Sequence, residues 1–402
     1  VKIIGEEIMS ANLHQQKSQQ ACDLLKELDM DTWLIWVRET KLMADPAIAL
    51  VIGSDVVWQS ALIYTKTGER IAIVGNYDAQ GIEALKVFTK IVPYTQSIRD
   101  ALRRELDRIK PKQIGLNYSR DDYAADGITY AMYNLLKEYL EGTPYFDRFV
   151  SAELLMNRLR GRKTAEEINR IHTAVNITEQ IYNEAKEFVQ VDQTELEIYH
   201  FFHQRMQAHN VTFAWDPDHN PAVDAGPNKE FGHAGPTENK TKTGHLLHFD
   251  FGVRYQGYCS DLQRMFFFGS AHDIPDEVQI AFNAVRDAIQ KAAEFIKPGV
   301  KGYEVDEVAR QYLLQRGYKE YGHALGHQVG QEAHDGGTLL GPLWDRYGAS
   351  PKGVVEVGNI FTLEPHVRTE SYGQVSLEEN IVVTKDGCRF LSTPQTELIC
   401  IS

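Results

Sequence analysis

Leu246-Leu247-His248-Phe249-Asp250-Phe251-Gly252-Val253 and Tyr258-Cys259-Ser260-Asp261-Leu262-Gln263-Arg264-Met265-Phe266-Phe267-Phe268 are the two stretches on which the fold turns. Both are strand-like, and Arg254-Tyr255-Gln256-Gly257 joins them as a short loop. If Val253 pairs with Tyr258, Asp250 lies directly opposite Asp261, with Cβ atoms about 4.5–5.5 Å apart on one face. Both strands are apolar enough to be core. Two carboxylates there repel each other and lose their hydration, so the pair calls for a cation or a shared proton.

Further along comes Gly322-His323-Ala324-Leu325-Gly326-His327-Gln328-Val329-Gly330-Gln331-Glu332-Ala333-His334-Asp335. Its three histidines sit among glycines that let backbone approach closely. Neutral imidazole is the commonest metal ligand, and the same ring can hydrogen-bond a developing oxyanion. Then Ile360-Phe361-Thr362-Leu363-Glu364-Pro365 and Val375-Ser376-Leu377-Glu378-Glu379-Asn380-Ile381-Val382-Val383-Thr384 each set one glutamate in an apolar strand. A turn near Glu370–Gly373 would bring Glu364 and Glu378 into opposition, with Glu379 on the other strand face, in solvent. Four carboxylates and one histidine form a hard, oxygen-rich donor set. It suits Mn²⁺, Fe²⁺, Co²⁺ or Zn²⁺, and its charge fits two divalent ions better than one.

Working outward, 402 residues are too many for one comfortable core, so two domains are expected. Short apolar runs at Trp33–Val37, Ile48–Ile52, Ser60–Tyr64 and Ile71–Val74 predict strands, with another at Gln113–Asn117. Residues 12–30, 78–90, 97–109 and 121–141 predict helices, making residues 1–150 a compact α/β domain. Residues 151–188 predict one long joining helix, with Arg158, Arg160, Arg162 and Lys163 as a basic patch that reads as a solvated face or domain contact rather than a binding site, and 193–208 a second. Residues 151–402 form the other domain. Arg346 and Lys352 read as surface charge, or as a hold for a peptide's terminal carboxylate. His219, His245 and His248 read as structural or supporting groups.

The net charge of −14 argues against a nucleic-acid partner. No apolar stretch is long enough to span a membrane, and Val1–Glu7 is a poor signal peptide, so a cytoplasmic protein is expected. Four scattered cysteines, without C-x-x-C spacing, read as free thiols.

The order Asp250, Asp261, His327, Glu364, Glu378, with these surroundings, resembles the metallopeptidase family of creatinase, prolidase, aminopeptidase P and methionine aminopeptidase. His233, in Gly232-His233-Ala234-Gly235-Pro236, stands where the Xaa-Pro peptidase branch carries a catalytic histidine. The resemblance implies an α/β pita-bread fold for 151–402 and a creatinase-like N-terminal α/β domain for 1–150. It implies two divalent ions, Mn²⁺ first, held by Asp250, Asp261, His327, Glu364 and Glu378, with His233, His323, His334 and Glu364 catalytic. It also implies a small peptide cut at an N-terminal Xaa-Pro bond, and a homodimer. Gln263, Ser376 and His366 depart from the family's usual Thr, Arg and Gly, leaving open a peptidase or other hydrolase without proline specificity. A non-catalytic binding protein of the same fold is the remaining alternative.

Overall fold

The computed structural model describes residues 2–227 and 235–401, and the chain forms two compact units, Val1–Arg160 and Gly161–Ser402. The first unit is built on β1 (Thr32–Val37), β2 (Ser60–Thr65), β3 (Arg70–Gly75), β4 (Lys90–Tyr94), β5 (Ile114–Leu116) and β6 (Phe149–Ser151). They form one mixed sheet in the order β4-β3-β2-β1-β5-β6. Side chains of β1 alternate between two cores, as a pleated strand requires. Trp33, Ile35 and Val37 pack with Leu24 and Leu25 of α1 (Lys2–Glu27). Leu34 and Trp36 instead meet Leu102 and Leu136, from helices Arg99–Ile109 and Tyr130–Leu140.

Two expectations fail in this unit. Ile48–Val51 is a short helix, α2, rather than a strand. A brief apolar run has no periodicity that separates strand from buried helix, and here Asp45 accepts a hydrogen bond from the Ala47 amide and starts the turn. Strand β4 was not expected, because Lys90 and Pro93 dilute its apolar pattern; Pro93 is tolerated because β4 is an edge strand.

The expected long helix at 151–188 is two helices, Glu153–Gly161 and Ala165–Phe188. Thr164 starts the second with a capping box, accepting from the Glu167 amide while the Glu167 carboxylate accepts from the Thr164 amide. The basic residues between them are not a solvated face. Arg162 makes a two-pronged contact with Glu356 at 2.8 Å, and Lys163 is buried 3.2 Å from Asp335.

In the second unit, β-strands Ala222–Ala225, Leu246–Phe251, Leu262–Phe268 and Ile399–Ile401 form one four-stranded sheet. Ile360–Leu363, Glu379–Val383 and Cys388–Phe390 form a three-stranded one. Helices Asp276–Phe295 and Gly302–Leu314 supply Phe282, Val285, Ala309 and Leu313 to a core shared with Met265, Phe267, Phe361, Leu363 and Ile381. The inner strands are thereby fixed on their apolar sides, leaving the other faces to carry polar groups. No described helix is long and apolar enough to cross a membrane.

Candidate metal centre

The first aspartate pair sits on the hairpin quoted above, in a register two residues from the expected one. Tyr255 pairs with Tyr258, and Asp250 lies opposite Gln263 rather than Asp261. The difference is in the turn. Gln256 and Gly257 both take positive φ, 46° and 82°, so the connection is a tight two-residue turn instead of a four-residue loop. A shift of two keeps the same side-chain face. Asp261 falls at a break in the ladder, beside Gly252, where an added Cβ would stand 2.1 Å from the Ser260 carbonyl oxygen. It still faces Asp250 within hydrogen-bonding reach, and its amide donates to Asn380 Oδ1 at 3.2 Å.

The glutamate strands keep one register on both sides of a second break. Leu363 pairs with Glu379, and His366 with Ser376, so Glu364 and Glu378 fall opposite each other. Glu379 corrects another expectation. It is buried, bound by Arg264, Ser392 and the Gln395 amide, because its strand face is covered rather than exposed.

The histidine run is threaded beside the strand Ile360–Leu363, which leads into Glu364. The Thr362 amide donates to the His327 carbonyl at 2.9 Å, and the Glu364 amide to that of Leu325 at 2.8 Å. Thr362 Oγ1 accepts from the His327 amide at 3.1 Å and lies 3.3 Å from Glu364 Oε1. Thr362 thus ties two site residues to each other. It escaped the sequence reading, although its place two residues before Glu364, on the same strand face, was a usable signal.

His327 Nε2 lies 3.2 Å from Glu364 Oε1 and 3.7 Å from Asp261 Oδ2. One ligand-type atom from each of Asp261, His327 and Glu378 lies within 4.8 Å of the others. The His334 ring meets His327 edge-on at 4.2 Å between centroids. His323 Nε2 is 2.8 Å from His366 Nδ1. His233 lies outside the described residues. His248 bridges Asp224, at 3.0 Å, and Gln263, at 2.9 Å. Among the described residues, no contact brings His219 or His245 into this cluster. Arg346 lies over the Trp344 and Tyr347 rings and donates to the Gly322 carbonyl, while Lys352 is exposed.

Burial, reinforced by mutual repulsion, dominates the electrostatics. It pushes the Asp250 carboxyl up to about 7, the Glu364 and Asp224 charges adding to it. Asp261 and Glu378 are pushed well above the carboxylate range, by burial first and then by neighbouring carboxylates. Glu364 behaves differently. Burial opposes its charge, but the His327 hydrogen bond and the charges of His327, His323 and His334 outweigh that and hold it below the usual range. For His327, burial disfavours the charged ring, yet contact with Glu364 raises it overall. Asp250 Oδ1 and Glu378 Oε1 are buried without a hydrogen-bond partner. Orphaned oxygens and carboxylates that hold their protons are what a cation site looks like without its cation, so these residues fit divalent metal.

The chain matches metallopeptidase family M24 over residues 169–385. An uncharacterized peptidase of Staphylococcus aureus (strain MRSA252) is 27% identical over 335 residues, 83% of this chain and 87% of that protein. The crystal structure of an X-Pro aminopeptidase from Thermotoga maritima MSB8 is similar at TM-score 0.72 and 22% identity, covering 96% of this chain and 99% of the other. A Xaa-Pro dipeptidase from Bacillus anthracis gives TM-score 0.73 and 23% identity, over 97% and 100%. The fold is therefore the expected α/β pita-bread architecture with an N-terminal domain, and the family's enzymes are metal-dependent peptide hydrolases. With more than half its length matched, and a buried carboxylate–histidine cluster within the matched part, this chain belongs to metallopeptidase family M24.

Proposed function

We propose that this chain uses two divalent metal ions to hydrolyse the bond between a peptide's N-terminal residue and a following proline. The observation that carries the reading is four carboxylates gathered around His327, Asp261 and Glu378 buried and Asp250 and Glu364 half-buried, with three driven toward their protonated forms and Glu364 held ionised. Four carboxylates are more charge than one divalent ion needs, which supports two. Asp250, Asp261, His327, Glu364 and Glu378 would hold the ions. Mn²⁺ is the first choice, and Co²⁺, Zn²⁺ and Fe²⁺ suit the same donors. When bound, such ions acidify water toward neutral pH and polarise a carbonyl.

The chain's own residues do the remaining work. The Glu364 carboxylate takes a proton from the attacking water and passes it to the leaving nitrogen. His334, with His233, holds the scissile carbonyl oxygen, and His323 lines the pocket for the residue after the cut. Residues 161–402 are the catalytic unit in this reading. Proline specificity is supported by the X-Pro and Xaa-Pro enzymes among the similar structures. A second reading, hydrolysis without a need for proline, is favoured by Gln263, Ser376 and His366. Four free cysteines support a reducing, cytoplasmic location. A homodimer is part of the same reading, and light scattering on the purified protein tests it.

The test is hydrolysis of Ala-Pro, Ala-Pro-Ala and a proline-free tripeptide after metal is stripped and Mn²⁺ restored. Metal-dependent cleavage of the prolyl substrates alone is the expected result. Equal cleavage of the proline-free peptide favours the second reading. Glu364→Gln should lower kcat by about 10²–10⁴-fold, and wild-type turnover in that variant would remove Glu364 from its role.

A further inference from the structure

Gln263 is the residue that the hairpin register sets opposite Asp250. Its side chain is buried and makes contacts on both ends of the amide. On one end, Oε1 accepts from the Ser376 hydroxyl at 2.5 Å and lies 2.9 Å from His248 Nε2. His248 is itself held 3.0 Å from Asp224 Oδ2 through Nδ1. On the other end, Nε2 donates toward Glu364 Oε2 at 3.4 Å, and the same side chain reaches Glu378 as a hydrogen-bond donor.

The orientation of this amide is decided by its neighbours. Glu364 is held ionised and only accepts, and the Ser376 hydroxyl donates to Oε1, so an amide turned the other way would set its carbonyl oxygen against the Glu364 carboxylate. Ser376 and His248 fix the carbonyl end from behind, leaving both N–H groups for the glutamates. Buried donors with a fixed direction hold a carboxylate rotamer more firmly than solvent does.

We infer that Gln263 is a positioning residue that sets the Glu364 and Glu378 carboxylates for metal, and that Ser376 and His248 hold Gln263 in that orientation. The inference rests on the metal-centre reading above. It gives three residues outside the ligand set a shared task, carried from the buried Asp224 to the glutamates. Outer contacts of this kind change metal affinity by about 10–100-fold when removed.

The experiment is calorimetric titration of Mn²⁺ into the metal-stripped, full-length wild type, Gln263→Met, Ser376→Ala and Ser376→Thr. Thermal melts of each variant first establish that it is folded. Gln263→Met should weaken Mn²⁺ binding by about 10–100-fold, with Ser376→Ala in the same direction but smaller. Ser376→Thr, which keeps the hydroxyl, should restore wild-type affinity. With saturating Mn²⁺, the Gln263→Met change should fall on kcat and leave KM for Ala-Pro near wild type. If Gln263→Met does not fold, Ser376→Ala against Ser376→Thr decides alone. A wild type that binds Mn²⁺ with folded variants matching it overturns this inference and leaves the proposed function standing. A wild type that binds no Mn²⁺ overturns both.

Discussion

Arg264 and Glu379 meet in a buried two-pronged ion pair, with Nη1 and Nη2 each 3.1 Å from a carboxylate oxygen. Each is the chain neighbour of a residue that faces the candidate centre, Gln263 for one and Glu378 for the other. The pair therefore clamps two strands from behind the site. Removing one partner leaves the other charge buried and uncompensated, at a cost of about 3–5 kcal/mol. Glu379→Ala should lower the urea midpoint accordingly, and adding Arg264→Met should recover most of the loss. An unchanged midpoint in the single variant would contradict the clamp.

Metal uptake should release protons. Without metal, burial holds the Asp250 carboxyl up at about 7 and lifts Asp261 and Glu378 well above the usual carboxylate range. Those protons must leave before the oxygens can coordinate, so affinity for Mn²⁺ should rise with pH across about pH 6 to 8. Calorimetry in buffers of different ionisation enthalpy measures the number released. Binding with no proton release, and no pH dependence over that range, would contradict the buried-carboxylate account.

Gly326 is required by close approach. An added Cβ would stand 1.9 Å from the Thr362 carbonyl oxygen, on the very strand, Ile360–Leu363, that leads into Glu364. Gly326→Ala should push His327 away from Glu364 and lower kcat/KM by about 10²-fold or more. Gly322→Ala is the matched control, because nothing lies within 4 Å of its added Cβ. Similar activity in the two variants would count against the threading of the histidine run.

Asp45, in the first unit, should make stability depend on pH. Burial lifts its carboxyl from 3.8 to about 6, against hydrogen bonds from the Ala47 amide and Asn117. The folded state holds this proton more tightly than the unfolded state does. Its contribution is thus fully present below about pH 4 and lost as pH rises through about 6, with a ceiling of about 3 kcal/mol. Asp45→Asn keeps the accepting oxygen and should flatten this part of the slope. Urea titrations on either side of that window compare the two proteins.

How much was legible in the sequence follows from which interactions are local. Asp250, Asp261, Glu364 and Glu378 stand out because a charged group in an apolar strand is anomalous in any fold. The register of Asp250 against Asp261 was misread by two residues, since it depends on whether Gln256 accepts positive φ. Glu379 was read as solvated because nothing near it in sequence announces Arg264, whose guanidinium arrives from another strand. Gln263, Ser376 and His366 looked like three separate departures. Only the fold brings Ser376 onto Gln263 and His366 onto His323.

The Glu379 clamp also bears on how the protein is made. Its partners Ser392 and Gln395, and the strand Ile399–Ile401 beside Leu262–Phe268, follow Glu379 in the sequence. A ribosome that has delivered Asp250 and Asp261 still has more than a hundred residues to translate before Glu378 emerges, and more before its neighbour is secured. The nascent polypeptide therefore carries half of the candidate centre alone over that interval. On the proposed function, peptide cleavage cannot begin until Glu378 and the residues that secure its neighbour have been translated.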